Sequence, residues 1–237
     1  MPEKLNLLFI HGAWHGAWCW AEVTALAKRR GHNASAIDLP GHSRRQTEVA
    51  SLDAYGTAVA DALRKMEDAV VIGHSMGGMA ISAGAERAAA RIRSLIYLCA
   101  FAPLNGDSLS GLAADDTSTQ LQSYFVPLQD GRIVVSDEGL KPSFYADCSD
   151  AQIELARLAL TPQQLLPLQE QIALSAAHFG SLRKSYVFCE HDGAIGIAKQ
   201  RAMAARAGIT ETRTLPTSHS PFFSAPSALL DAIEELA

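Results

Sequence analysis

Short apolar runs alternate with stretches of helical spacing through the first hundred residues. Leu5–Ile10 is a strand-like run that ends at His11-Gly12. Trp18 to Arg30 has helical spacing and stops at Gly31, a C-terminal cap residue. Ala34–Asp38 reads as a second strand, closed by Leu39-Pro40-Gly41-His42. Ser51 is placed to cap a helix that runs to about Met66. Ala69–Ile72, Met76–Ala90 and Leu95–Ala100 continue the rhythm as strand, helix and strand. Apolar strands that alternate with helices predict a mostly parallel sheet covered by helices on both faces, an α/β fold.

The rhythm breaks after Pro103. Residues 104–180 mix polar and apolar segments and read as a small lid inserted into the sheet domain. Within it, Asp130-Gly131 between Tyr124–Leu128 and Arg132–Val135 signals a hairpin. Ser149–Leu160 and Gln163–Gln171 look helical, with Pro162 and Pro167 interrupting. The sheet pattern resumes at Ser185–Cys189. It continues through a helix at Ala194–Ala207, a strand at Thr212–Leu215 and a helix at Ala225–Leu236. The 237 residues thus form a single domain carrying an insertion.

The chemistry enters at Gly73-His74-Ser75-Met76-Gly77-Gly78, directly after the strand Ala69–Ile72. G-x-S-x-G at a strand-to-helix turn lifts a serine hydroxyl out of a strained turn at the top of a sheet. Gly73 and Gly77 leave room for close backbone approach. Ser75 is therefore the candidate nucleophile. A serine needs a base, and His219 lies on the loop between the last strand and the last helix. The base needs a carboxylate to hold its tautomer, and Asp192 completes the chain order Ser, Asp, His; Asp107 and Glu190 are rivals. The backbone N–H groups of Met76 and Ala13 are the candidate oxyanion donors. Trp14, Trp18, Phe125, Phe222 and Phe223 are candidates for an apolar substrate pocket.

Composition narrows the partners. Hydrophobic residues make up 48% and charged residues 19%, which fits a globular chain with a sizeable core. A net charge of −5 argues against a nucleic-acid partner, and no apolar stretch is long enough to span a membrane. Cys19, Cys99, Cys148 and Cys189 follow no zinc or redox spacing, and a cytoplasmic location is the expectation. A homodimer through lid or sheet-edge surfaces stands as the alternative to a monomer.

The whole chain resembles the α/β-hydrolase fold. More narrowly it is similar to the plant methylesterase and hydroxynitrile lyase branch and its bacterial esterase relatives. The carrying stretches are His11–Trp20, Asp38–His42, Gly73–Gly78, Tyr145–Cys148 and Cys189–Asp192. The resemblance implies Ser75, Asp192 and His219 as nucleophile, acid and base, with the amides of Ala13 and Met76 as oxyanion donors. It implies hydrolysis of small, aromatic or methyl, carboxylic esters through an acyl-enzyme, without metal or organic cofactor. The lyase pattern has threonine where this chain has Gly12 and lysine where it has Ser220, which disfavours cyanohydrin cleavage. A non-catalytic small-molecule receptor on the same fold is the third reading.

Overall fold

A computed structural model describes residues 3–237. The elements follow in chain order as β1 (Asn6–Ile10), α1 (Ala21–Arg29), β2 (Asn33–Ile37), α2 (Leu52–Leu63), β3 (Ala69–His74), α3 (Gly77–Ala88) and β4 (Ile92–Leu98). The insertion holds α4 (Leu109–Ala113), the strands β5 (Phe125–Pro127) and β6 (Ile133–Val135), then α5 (Asp137–Phe144), α6 (Asp150–Ala159) and α7 (Leu166–Gln169). The chain closes with β7 (Arg183–Cys189), α8 (Ile197–Arg206), β8 (Glu211–Leu215), α9 (Pro221–Ser224) and α10 (Pro226–Leu236).

Six strands form one sheet in the order β2-β1-β3-β4-β7-β8, and every pairing in it is parallel. The expected "mostly parallel" sheet is thus fully parallel among the described residues. Burial follows position. All six residues of the central β3 are buried, while the edge strands β2 and β8 are largely solvent-accessible. A strand covered on both faces must be apolar throughout, which is why Ala69–Ile72 reads as a continuous run. Helices α2 and α3 pack together, as do α1 and α10. Right-handed crossovers place the two pairs on opposite faces.

The chain leaves β1 for β2 on one side and returns to β3 on the other. A crevice opens beyond the carboxyl ends of strands at such a reversal. The loops after β1, β3, β7 and β8 all converge there, and they carry Ala13, Ser75, Asp192 and His219.

Local structure differs from the sequence reading chiefly in the helices, while β4 starts at Ile92 and ends at Leu98, earlier than the expected Leu95–Ala100. The helix expected from Trp18 begins as a 3₁₀ turn over Ala17–Trp20, and α1 starts at Ala21. The helix expected over Gln163–Gln171 shrinks to the four residues of α7. Its first residue is instead paired as strand, with Gln163 N donating to Ile133 O at 2.8 Å and Ile133 N to Gln163 O at 2.9 Å. Helices α4, α5 and α9 were not anticipated. By contrast, Ser149 caps α6 in a reciprocal capping box with Gln152, and β5 and β6 pair as the predicted antiparallel hairpin. No described helix is long and apolar enough to cross a membrane.

Candidate active site

Ser75 sits in the turn between β3 and α3 with φ of 54°, a left-handed conformation that a serine adopts only under constraint. The constraint comes from both neighbours. Ser75 N donates to Leu98 O at 3.2 Å, and Ser75 O accepts from Gly78 N at 3.0 Å and Phe101 N at 3.2 Å. The turn closes only because Gly77 lacks a side chain: a Cβ there would stand 2.7 Å from the carbonyl oxygens of both Ile10 and His11.

His219 and Asp192 form a buried pair. His219 Nδ1 lies 2.7 Å from Asp192 Oδ2, and the two side chains are 1% and 0% exposed. The carboxylate can only accept, so Nδ1 carries the proton and the Nε2 of a neutral ring keeps its lone pair. Asp192 Oδ1 accepts from Ala194 N at 2.7 Å and Ile195 N at 2.9 Å. Those two amides fix which oxygen faces the imidazole. The rivals are engaged elsewhere: Asp107 pairs with Arg206, and Glu190 is exposed.

The base loop is tied to the nucleophile turn through its backbone. His74 Nε2 donates to His219 O at 2.9 Å, Cys99 Sγ lies 3.5 Å from the same oxygen, and the rings of His74 and His219 are 4.5 Å apart. His74, Cys99 and His219 therefore have metal-ligand atoms within 4.8 Å of one another. His74 Nε2 and Cys99 Sγ are engaged with His219 O, and His219 Nδ1 with Asp192, while His74 Nδ1 has no partner among the described residues. Ser75 Oγ has no hydrogen-bond partner among the described residues. A nucleophile–base hydrogen bond commonly closes only when substrate binds.

Ser75, Ala13 and Met76 line a cavity of about 430 Å³. Trp14 and Phe125 line it too, joined by Phe101, Leu109, Leu121, Leu168 and Ile195. Trp18, Phe222 and Phe223 do not. Their rings pack into the body behind the loop, Trp18 against His15 and Phe223, and Phe222 against Trp20 and His74. Phe222 and Phe223 are core residues that support the loops from beneath, and Trp18 is half-buried against them, so none of the three expected pocket rings faces this cavity.

Neither Ala13 N nor Met76 N has a protein acceptor among the described residues. The loop that carries Ala13 is pinned through its carbonyls. His11 Nδ1 donates to Gly12 O at 2.8 Å, while His11 Nε2 accepts from Leu39 N at 3.0 Å. In a trans peptide the N–H points opposite to the preceding C=O, so gripping Gly12 O sets the direction of Ala13 N–H. His15 Nδ1 donates to Ala13 O at 2.8 Å and its Nε2 accepts from Tyr145 Oη at 2.7 Å. Thr161 N holds Trp14 O at 2.8 Å. The insertion thereby braces both loops, because Asp147 Oδ2 also accepts from Ser218 N at 2.8 Å, next to the base. His11, His15, Tyr145 and Asp147 were not assigned roles from the sequence. All four did belong to stretches that carried the resemblance, His11–Trp20 and Tyr145–Cys148.

Burial holds His11 well below the usual imidazole range, with His42 adding to the effect, and brings His15 down to about 4. An unfolded histidine titrates near 6.5. Below that pH the unfolded chain binds more protons than the folded one, so stability falls as pH drops from about 6.5 to about 4 and flattens beneath. For His15 alone the shift is worth roughly 3 kcal/mol. We expect His15→Gln to reduce the loss of urea stability between about pH 7 and pH 4.5, with the other buried histidines supplying the remainder. An undiminished loss in this variant would contradict the assignment.

The sequence profile described as the alpha/beta hydrolase family matches residues 7–232. This chain belongs to that family. It is 26% identical over 255 residues to norfluorocurarine synthase 1 of a Strychnos species, covering 99% of this chain and 96% of that one. It is 28% identical over 251 residues to putative methylesterase 11, chloroplastic, of Arabidopsis thaliana, covering 99% of this chain and 64% of that one. Among solved structures, a pyrethroid hydrolase from Sphingobium faniae superposes with a TM-score of 0.88 at 25% identity, covering 98% of this chain and 97% of that one. The chemistry of this chain rests on the groups assembled at the crevice.

Proposed function

We propose that this protein is a serine carboxylic ester hydrolase that acts on small neutral esters. Ser75 is its nucleophile, His219 its base and Asp192 the acid that orients the base. The observation that carries the reading is the pair of idle amides, Ala13 N and Met76 N, at the cavity wall beside Ser75. Two N–H donors with no protein partner suit the oxyanion of an acyl-transfer intermediate. Met76 also stands at the N-terminus of α3, where the helix dipole favours negative charge.

The steps follow from the proton inventory. His219 Nε2 takes the hydroxyl proton as Ser75 Oγ attacks the ester carbonyl. The oxyanion settles on the two amides, and the imidazolium is stabilised by Asp192. His219 then protonates the departing alcohol, leaving an acyl-serine. Water repeats the sequence and releases the acid. The methylesterase name of a relative agrees with ester hydrolysis. Cyanohydrin cleavage is disfavoured because no lysine or arginine lines the cavity to receive cyanide. A receptor role leaves the idle amides and the buried imidazole–carboxylate pair without a use. The four buried free thiols support a reducing compartment, in keeping with the cytoplasm.

The cavity also limits the substrate. Its single charged lining residue is Asp116, whose oxygens accept from Gly196 N at 2.9 Å and Ser118 N at 3.1 Å. An anionic acyl chain would lie unpaired beside a carboxylate, so such an ester should turn over at least about tenfold more slowly than a neutral one of equal size. Paired p-nitrophenyl butyrate and p-nitrophenyl hemisuccinate assays measure this, and equal kcat/KM values would refute it. The overall reading is tested by fluorophosphonate labelling. One phosphonyl adduct on the peptide containing Ser75 supports it, and a protein that resists labelling while turning over esters overturns it.

A further inference from the structure

We infer that Gln200 is a positioning residue for the acid of the catalytic array, an inference that rests on the ester-hydrolase reading above. Gln200 lies in the first turns of α8, faces inward and is fully buried. Its Nε2 is 3.1 Å from Asp192 Oδ2, the same oxygen that binds His219 Nδ1. The rest of the amide is bound to backbone. Oε1 accepts from Cys189 N at 3.1 Å, and the two protons on Nε2 are shared among Ile195 O at 2.7 Å, Asp192 Oδ2 and Cys189 O at 3.2 Å. The Cys189 N–H can only donate, so it fixes which end of the amide is oxygen and turns the NH₂ group toward Asp192.

This placement makes Gln200 the link between strand, acid loop and acid. It clips the last residue of β7 to the loop that carries Asp192, and it supplies the fourth hydrogen bond to the carboxylate. With Ala194 N, Ile195 N, His219 Nδ1 and Gln200 Nε2 in place, both oxygens are satisfied without water. A buried carboxyl group with such a shell keeps one orientation. Gln200 does not line the cavity, so its influence passes through Asp192 and His219 to the reaction step.

The surroundings make the test specific. The titratable groups facing this site are Asp192, His219, Cys189, and Cys99 and Tyr186 on β4's C-terminal end and β7. Burial, with Asp192 adding to it, keeps the Cys99 thiol and the Tyr186 phenol well above their usual ranges, so both are neutral near pH 7. From the insertion, Asp115 pairs with Lys199 and Asp116 accepts from Gly196 N, so both are already engaged. A new carboxyl at 200 would thus face three acceptors: Asp192 Oδ2, Ile195 O and Cys189 O. It must keep its proton to donate to any of them.

Gln200→Glu is therefore expected to work at low pH and to lose activity as the introduced acid ionises. The profile of kcat from about pH 5.5 to 9 should gain a falling alkaline limb, at least about tenfold deep, that the parent enzyme lacks. Gln200→Leu, which has no donor at any pH, should lose kcat by about tenfold to a hundredfold across the whole range, with KM within about threefold. The leucine variant also strips Cys189 of partners and is the more prone to unfold. The glutamate variant keeps an acceptor for Cys189 N–H at nearly the same volume, so its profile decides. A Gln200→Glu profile parallel to that of the parent enzyme would overturn the inference. So would a folded leucine variant with kcat within about twofold of parent. Fluorophosphonate labelling of the parent enzyme at Ser75 separates the two levels. If the parent is not labelled, the hydrolase reading fails first; if it is labelled and the Gln200 variants behave as the parent does, the positioning role alone fails.

Discussion

Ser75→Ala is expected to reduce ester kcat by a factor of at least about 10⁴ while leaving the fold intact. The loss follows from removing the atom that forms the acyl bond. What remains are the two amides and the cavity, which by themselves give a residual acceleration of about 10³–10⁴ over water. The fold should survive because Ser75 Oγ has no partner among the described residues, so its deletion leaves no buried group unsatisfied. Alanine at φ of 54° costs about as much as serine did, since both carry a Cβ. Initial rates on p-nitrophenyl acetate, with a thermal melt alongside, measure both halves. Turnover within tenfold of the parent would remove Ser75 from the mechanism.

Asp192→Asn should be nearly as damaging, lowering kcat by roughly 10⁴ near neutral pH. The asparagine cannot choose its orientation. Ala194 N and Ile195 N both donate to Oδ1, so the amide oxygen must stay there and the NH₂ group must turn toward His219. Two donors would then confront each other unless the imidazole moves its proton to Nε2. That tautomer has no lone pair facing Ser75 and cannot act as base. Gln200 Nε2 also loses its acceptor, which adds strain to the same corner. The ratio of parent to variant kcat at saturating ester is the measurement, and a loss below about tenfold would contradict the tautomer account.

Legibility in the sequence depended on how local each cause was. The strand before Ser75 is covered on both faces, so its apolar run was plain, and Gly73 is demanded by the backbone of Gly77 within the same turn. The order Ser, Asp, His could be read because each falls just past a strand. What stayed hidden was set by distant packing. Trp18, Phe222 and Phe223 have the same apolar character as Trp14 and Phe125, and only the tertiary arrangement decides which rings face the cavity. Gln163 and Gln200 are polar residues in helical-looking stretches. Nothing in their neighbours announces that one is a buried partner of Ile133, His42 and Trp14, and the other of Asp192. Helix α5 was masked by Pro142 within it.

The insertion holds the machinery it covers. Tyr145 grips His15, Asp147 grips Ser218, and Trp14 Nε1 donates to Ile133 O at 3.0 Å, so lifting that half would dismantle the loops beneath. Of the residues around the cavity, Ser110, Ala114 and Gln122 are the exposed ones, the first two on and just after α4 and the third in the turn before β5. Reactant inward and product outward therefore pass between these exposed positions, while the braced half stays shut.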